Sequence, residues 1–393
     1  MSFAEIVFVV SAAFFCWVLA GYPVLLAWWA RLAPRPIRKN FPPCPISIII
    51  PVRNGERWIE AKLRSLLASD YPAELLDIVV VSDGSIDGTN RIVQSFASHA
   101  VRLLALPPGG KATAVSEALR QVSSEIIVLT DVRQVFDPQA LRRLVACFED
   151  PKVGVVTGEL VIRAGNTREE YNTGLYWKYE KWIRRNLNRI DAMLGATGSI
   201  YAIRQDAAAP IPPEILLDDV YLPFIAVFRG YRLYFEDQAK AYDLPTSLQS
   251  EFKRKVRTQA GVYQIIGYFP SLLWPGNPRF IHFFSHKFGR LVLPFAMIVM
   301  AVASFGLPDP WRLILLACQA AFYLAALLDP LVPERILLKR FTAVIRAFTV
   351  LVAAAFCAVS VFVLPAQRLW KETKVTAAQD TEEPLAPESG TGS

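Results

Sequence analysis

The five cysteines of this chain include no CxxC pair, and Cys16, Cys318 and Cys357 fall inside apolar runs. Neither a disulfide framework nor a zinc site follows from them. No GxGxxG loop comes after the first β-branched run, where PVRNGE (51–56) stands instead, and this argues against a dinucleotide-dependent dehydrogenase. There is no arginine-rich stripe with interleaved aromatics, so the net charge of +7 does not point to nucleic acid. The excess sits beside apolar runs, where attraction to anionic lipid accounts for it. Charge itself is missing from four long stretches, residues 6–30, 291–307, 313–328 and 347–367.

Those four stretches, in a chain of 393 residues that is 53% hydrophobic, read as membrane spans. Residues 6–30 suffice for a helix to cross a hydrocarbon core about 30 Å thick with some tilt. A cleaved signal peptide is the competing reading, weakened by the missing positive n-region and by the length of the run. The second and third runs, separated by PDPWR (308–312), read as a helical hairpin, with a buried soluble pair as the alternative. Arg31, Arg35, Arg38 and Lys39 on one side and Lys287 and Arg290 on the other flank the intervening polar stretch. By the positive-inside rule that stretch is cytoplasmic. Arg335, Lys339, Arg340 and Arg346 put the loop between the third and fourth spans on the same side, whereas Arg368, Lys371 and Lys374 pull the other way. The side of the C-terminus therefore stays open.

The predicted organisation is a span and linker over 1–40, a soluble domain over 41–245, a basic and interfacial segment over 246–290, three spans over 291–370 and a polar, disordered tail over 371–393. The soluble domain opens after the proline-rich linker 34–45 with SIIIPV (47–52). DIVVVS (77–82), VRLLAL (101–106) and EIIVLT (125–130) repeat the pattern, with helix-like stretches beginning near Glu56, Asp87 and Lys111. Nearly continuous apolar strands alternating with helices indicate an α/β fold, a parallel sheet covered on both faces. Ligands of such sheets sit beyond the carboxyl ends of the strands. Arg53 and Asn54, Asp83, and Asp131 stand there. Acids and a lysine suit a nucleotide bound through base, ribose and metal-bridged diphosphate.

Several residues carry two readings. Asp83 in SDGS is either a ligand or a turn residue, and Asp87 before GTNRIV reads as a helix N-cap. Lys111 follows two glycines and starts a helix, so its ammonium and the backbone amides could face a diphosphate; a solvated lysine would look the same. Arg254 and Arg257, at i and i+3, share a helix face that could clamp a diphosphate or meet anionic lipid. VYQIIGYFPSLLWPG (262–276) reads as an interfacial helix.

SIIIPVRNGE, VSDGSIDGT, GGKATAVSEAL, IIVLTDVRQ, GATGSIYAIR, LLDDV and RKVRT occur in the order and approximate spacing of glycosyltransferase family 2. Over roughly 45–264 the chain resembles the membrane-embedded branch that includes cellulose, hyaluronan and poly-N-acetylglucosamine synthases. The resemblance implies a GT-A-like, Rossmann-like, mostly parallel sheet and inverting transfer from a nucleoside diphosphate sugar, UDP-linked, to a glycan or lipid acceptor at a bacterial inner membrane. It leaves room for secretion or polymer-export partners.

The resemblance also implies residue roles. Asp83 matches the acid that reads the pyrimidine base, and Asn54, Lys111, Asp131, Arg133, Arg254 and Arg257 fall to the nucleotide sugar. Gly198 and Asp218 fall to the acceptor side, and Asp219 matches the TED acid, a general base for the acceptor hydroxyl. Asp131 is the first acid of DxD, but Arg133 replaces the last one, which in the family binds a divalent cation, magnesium or manganese. Arginine cannot ligate a cation. Either Asp131 and a more distant acid hold the metal, or the guanidinium itself neutralises the diphosphate. In RKVRT, Arg257 keeps its place in QxxRW, while Arg254 and Thr258 replace glutamine and tryptophan, which puts processivity in question. Single-sugar transfer to a membrane lipid is the rival within the class, and an inactive nucleotide-sugar-binding subunit the rival outside it.

Overall fold

In the computed structural model of the protein the structure describes residues 1–97, 100–162, 168–244, 248–333 and 336–364. The chain divides into two compact units. One holds residues 34–163 and 187–245; the other holds residues 1–33, 164–186 and the membrane-type helices after residue 246. The stretch 164–186 thus groups with the apolar helices, where the sequence reading kept it in the soluble domain.

The first of these units is built on an eight-stranded mixed sheet in the order β3-β2-β1-β4-β7-β6-β8-β5. Its strands are β1 Ile46–Val52, β2 Leu76–Asp83, β3 Val101–Leu106, β4 Ile126–Leu129, β5 Val135–Phe136, β6 Val153–Ile162, β7 Tyr201–Arg204 and β8 Arg232–Asp243. Helices α1 Glu56–Leu67, α2 Thr89–Ser95, α3 Lys111–Leu119, α4 Ala140–Ala146 and α5 Asp218–Phe228 belong to the same unit. The β-branched runs form the centre because both of their faces are covered: Ile46, Ile48, Ile49 and Ile50 of β1 and Ile78, Val79, Val80 and Val81 of β2 are all fully buried. Each such side chain contributes about 2 kcal/mol of burial as an upper estimate.

Register explains where the functional residues gather. β1, β2 and β4 run parallel, with Val52 opposite Ser82 and Ile49 opposite Leu129. Their carboxyl ends therefore lie along one edge, carrying Asn54, Asp83 and Asp131 to the same side. β7 runs antiparallel to β4, and Tyr201 pairs with Leu129, so the turn that precedes β7 returns to that edge. β5 pairs antiparallel with the end of β8, Val135 opposite Tyr242. Arg133 and Gln134 consequently meet Asp243.

Among the described residues of the other unit, four helices are long and apolar enough to cross a membrane: Phe3–Leu32, Phe280–Ser304, Trp311–Leu331 and Leu338–Phe362. Ser2 and Glu5 close a reciprocal cap on the first. The fourth starts earlier than the charge-free run 347–367 predicts, and Lys339, Arg340 and Arg346, expected in a loop, lie inside it. Buried Asp329 makes this tolerable, accepting from Lys339 Nζ at 3.1 Å and Thr342 Oγ1 at 2.7 Å, with Arg346 at 3.4 Å. The predicted tail, Arg335, Arg368, Lys371 and Lys374 lie outside the described residues.

Candidate active site

Lys111 stands at the centre of the site. Gly110 precedes it at φ +88°, a conformation that favours glycine, and the turn is fixed by Asp83, whose Oδ1 accepts the Gly109 and Gly110 amides at 2.6 and 3.0 Å. Asp83 is itself buried. The geometry gives it this structural task beside the base-reading one that the resemblance implies. Asn54, at φ +52°, joins the first two strand ends: its Oδ1 accepts the Ile86 amide at 2.9 Å, and its own amide donates to Ser85 Oγ at 3.1 Å. Asp87 caps α2 from one position earlier than predicted; Gly88 is the N-cap, and Asp87 accepts the Thr89 and Glu56 amides.

From that turn the Lys111 ammonium reaches Asp131 Oδ1 at 2.8 Å and Asp218 Oδ1 at 3.1 Å. Burial alone would push this lysine down, but the charges of Asp131, Asp218 and Asp219 outweigh it and hold the ammonium above the usual lysine range. Asp218 and Asp219 form the first turn of α5, a place that favours carboxylates. Asp219 Oδ2 accepts the Gly198 amide at 3.0 Å, and its carbonyl accepts the Ala196 amide at 2.7 Å. A Cβ at position 198 would meet that Oδ2 at 3.2 Å, so glycine lets the backbone come this close. Thus Lys111, Asp131, Asp218, Asp219 and Gly198 converge. Arg254 and Arg257 lie in helix Leu248–Tyr268 of the other unit, where Arg254 pairs with Glu251 at 2.7 Å.

Arg133 is committed elsewhere. Its guanidinium bonds Asp243 Oδ2 at 2.6 Å, and the Gln134 side chain donates to the same oxygen at 2.8 Å. Asp243 is buried, so removing the arginine strands a carboxylate in the protein interior. Arg133→Ala is expected to cost about 3 kcal/mol, the low end for a broken buried pair, because Gln134 and the Leu244 amide still donate to Asp243. Chemical unfolding of the detergent-solubilised protein reads this; an unchanged midpoint would remove the tether.

Sequence reasoning missed Lys62, Asp243 and Tyr201. Tyr201 is fully buried, its hydroxyl has no hydrogen-bond partner among the described residues, and burial followed by the charges of Asp218, Asp219 and Asp131 holds it well above the usual tyrosine range. Lys62 did leave a signal, since it occupies the apolar face of α1 with Ile59, Leu63 and Leu66.

A divalent cation fits this donor set. Magnesium-type sites take one or two carboxylates and draw further oxygens from substrate phosphates. Half-exposed Asp131 offers one carboxylate, and among the described residues no three His, Cys, Asp or Glu side chains form an all-protein cage.

Asn54, Asp83 and Asp131 beyond three parallel strand ends, a lysine turn and paired acids at a helix start define a GT-A-like fold and site. Residues 47–209 match the model for glycosyl transferase family 2. It is 24% identical over 229 residues to the poly-beta-1,6-N-acetyl-D-glucosamine synthase of Staphylococcus epidermidis, covering 56% of this chain and 55% of that protein. The same identity and coverage hold for the Staphylococcus aureus protein of that name. The chain thus spans about half the length of the curated relatives it matches. Among solved structures, a mannosyltransferase from Pyrobaculum calidifontis in complex with GDP-Man and Mn2+ superposes with a TM-score of 0.68 at 23% identity, covering 91% of this chain and 99% of that one. That likeness supports the fold.

Proposed function

We propose that the protein is an inverting, multi-pass membrane glycosyltransferase whose catalytic domain faces the cytoplasm at a bacterial inner membrane. It takes a sugar from a UDP-linked donor and adds it to a growing exopolysaccharide or cell-envelope glycan. The observation that carries this reading is the Lys111 ammonium shared between Asp131 and Asp218, one residue from Asp219. Asp219 accepts the proton of the acceptor hydroxyl as its oxygen attacks the anomeric carbon, and the bond to the nucleoside diphosphate breaks on the opposite face. Gly198 holds the base in place through its amide. Asp131, with donor phosphate oxygens, would hold magnesium or manganese, which supplies charge neutralisation for the departing diphosphate. The names of the relatives favour N-acetylglucosamine as the sugar.

One observation favours a single-sugar transfer to a membrane lipid instead. Thr258, at the place of the stacking tryptophan, turns its hydroxyl to the Arg254 carbonyl at 2.8 Å and offers no aromatic face. Membranes carrying the protein, incubated with radiolabelled UDP-GlcNAc, UDP-Glc and GDP-Man, separate the readings. A polymer from UDP-GlcNAc is the expected product, and a one-sugar glycolipid selects the second reading. Neither transfer nor hydrolysis of any donor would leave only a nucleotide-sugar-binding subunit.

A further inference from the structure

Helix α1 turns one face to the sheet, and at the middle of that face stands a lysine. Lys62 is fully buried, and an ammonium taken out of water costs several kcal/mol even after relaxation. A methionine of similar length would fill the same space without that cost. Among the described residues no carboxylate bonds the ammonium directly. Its two hydrogen bonds go to Thr130 Oγ1 at 2.7 Å and to the Gln134 carbonyl at 2.6 Å, and it sits 3.8 Å from the centre of the Phe136 ring. Both hydrogen-bond acceptors flank one loop: Thr130 is the residue before Asp131, and Gln134 the residue after Arg133.

The loop is fastened further through these two residues. Thr130 passes its own proton to the Ser199 carbonyl at 2.7 Å, in the turn that also presents Gly198, and the Gln134 side chain joins Arg133 on Asp243. Lys62 also feels the charge of Asp131. Burial pushes this lysine far down, and Asp131 is the group that opposes the push.

We propose that Lys62 is a positioning residue for donor handling: its one buried amine clamps the Asp131 loop at both ends and so fixes where that carboxylate stands. The proposal rests on the donor-side role proposed for Asp131. The two short bonds of Lys62, at 2.7 and 2.6 Å, span the residues whose spacing sets where Asp131 points.

The test uses the full chain in detergent, with Lys62→Met, Thr130→Val and the double variant. Amide hydrogen exchange without ligand is expected to quicken about tenfold or more over residues 131–136 in Lys62→Met, since the buried acceptors at Thr130 and Gln134 lose their donor, while β1 and β2 keep wild-type protection. With UDP-GlcNAc as donor, its KM rises about 10- to 100-fold and kcat stays within a few-fold. Thr130→Val moves both readouts the same way, and the double variant falls short of the sum of the two single effects, since both lose the one Lys62–Thr130 bond. Faster exchange spread over the whole domain with an unchanged donor KM would make Lys62 merely structural and overturn the proposal. Full additivity in the double variant would do the same. If Lys62→Met does not fold, wild-type exchange at 131–136 in Thr130→Val overturns it. If UDP-GlcNAc is not turned over by the wild type, the proposed donor fails, while the exchange result still decides the clamp.

Discussion

Asp219→Asn lowers turnover by about 100- to 10,000-fold, the range spanned by loss of a positioned general base, with UDP binding unchanged. The expectation follows from the geometry around this side chain. One oxygen is held by the Gly198 amide at 3.0 Å, and the residue lies in the first turn of α5. An asparagine keeps the carbonyl that accepts from Gly198 and the shape of the carboxylate, but it cannot take a proton from an acceptor hydroxyl. Asp218→Asn serves as the contrast. Asp218 is spent on Lys111, so its amide frees the lysine from one partner and changes donor affinity more than the chemical step. Rapid-mix single-turnover rates with saturating donor, alongside UDP affinity by calorimetry, separate the two. Near-normal turnover in Asp219→Asn would take this residue out of the mechanism.

What could be read ahead of the structure was the part written in local pattern. The strands β1 to β4 are largely apolar runs bounded by turn residues, and the carboxyl ends of β1, β2 and β4 point to Asn54, Asp83 and Asp131 from sequence alone. β6 and β8 escaped that reading. β8 alternates charged residues with apolar ones, RLYFEDQAKAYD, and β5 is only two residues long, too short for any period. Lys111, Asp131, Asp218 and Asp219 were legible as separate residues, whereas their convergence on one ammonium was not. The partner of Arg133 lies 110 positions away, a distance no local pattern bridges. The buried Asp329 hid the start of the fourth apolar helix for a related reason: charge in a sequence reads as a boundary until its partner is known.

Removal of divalent cations is expected to abolish transfer, by at least about 100-fold, and added manganese or magnesium to restore it. Charge is the reason. Asp131, Asp218 and Asp219 surround Lys111, so the site carries more negative than positive charge before a donor diphosphate enters. Opposed unit charges a few ångströms apart are worth about 4 kcal/mol near a protein surface, and like charges cost as much. Arg133 cannot make up the deficit from where it stands, since its guanidinium is bound to Asp243 at 2.6 Å and shared there with Gln134. Lys62 does not make it up either, since burial pushes it far down toward the neutral amine, so the deficit is met by a cation bound with the substrate. The prediction has a readout besides activity: Mn2+ binding followed by electron paramagnetic resonance strengthens when UDP is present, and Asp131→Asn removes that gain. Arg133→Ala keeps it, because the arginine acts on the fold of the loop. Full transfer in EDTA, with a folded Arg133→Ala protein that has lost UDP affinity, would show instead that the guanidinium leaves Asp243 and neutralises the diphosphate itself.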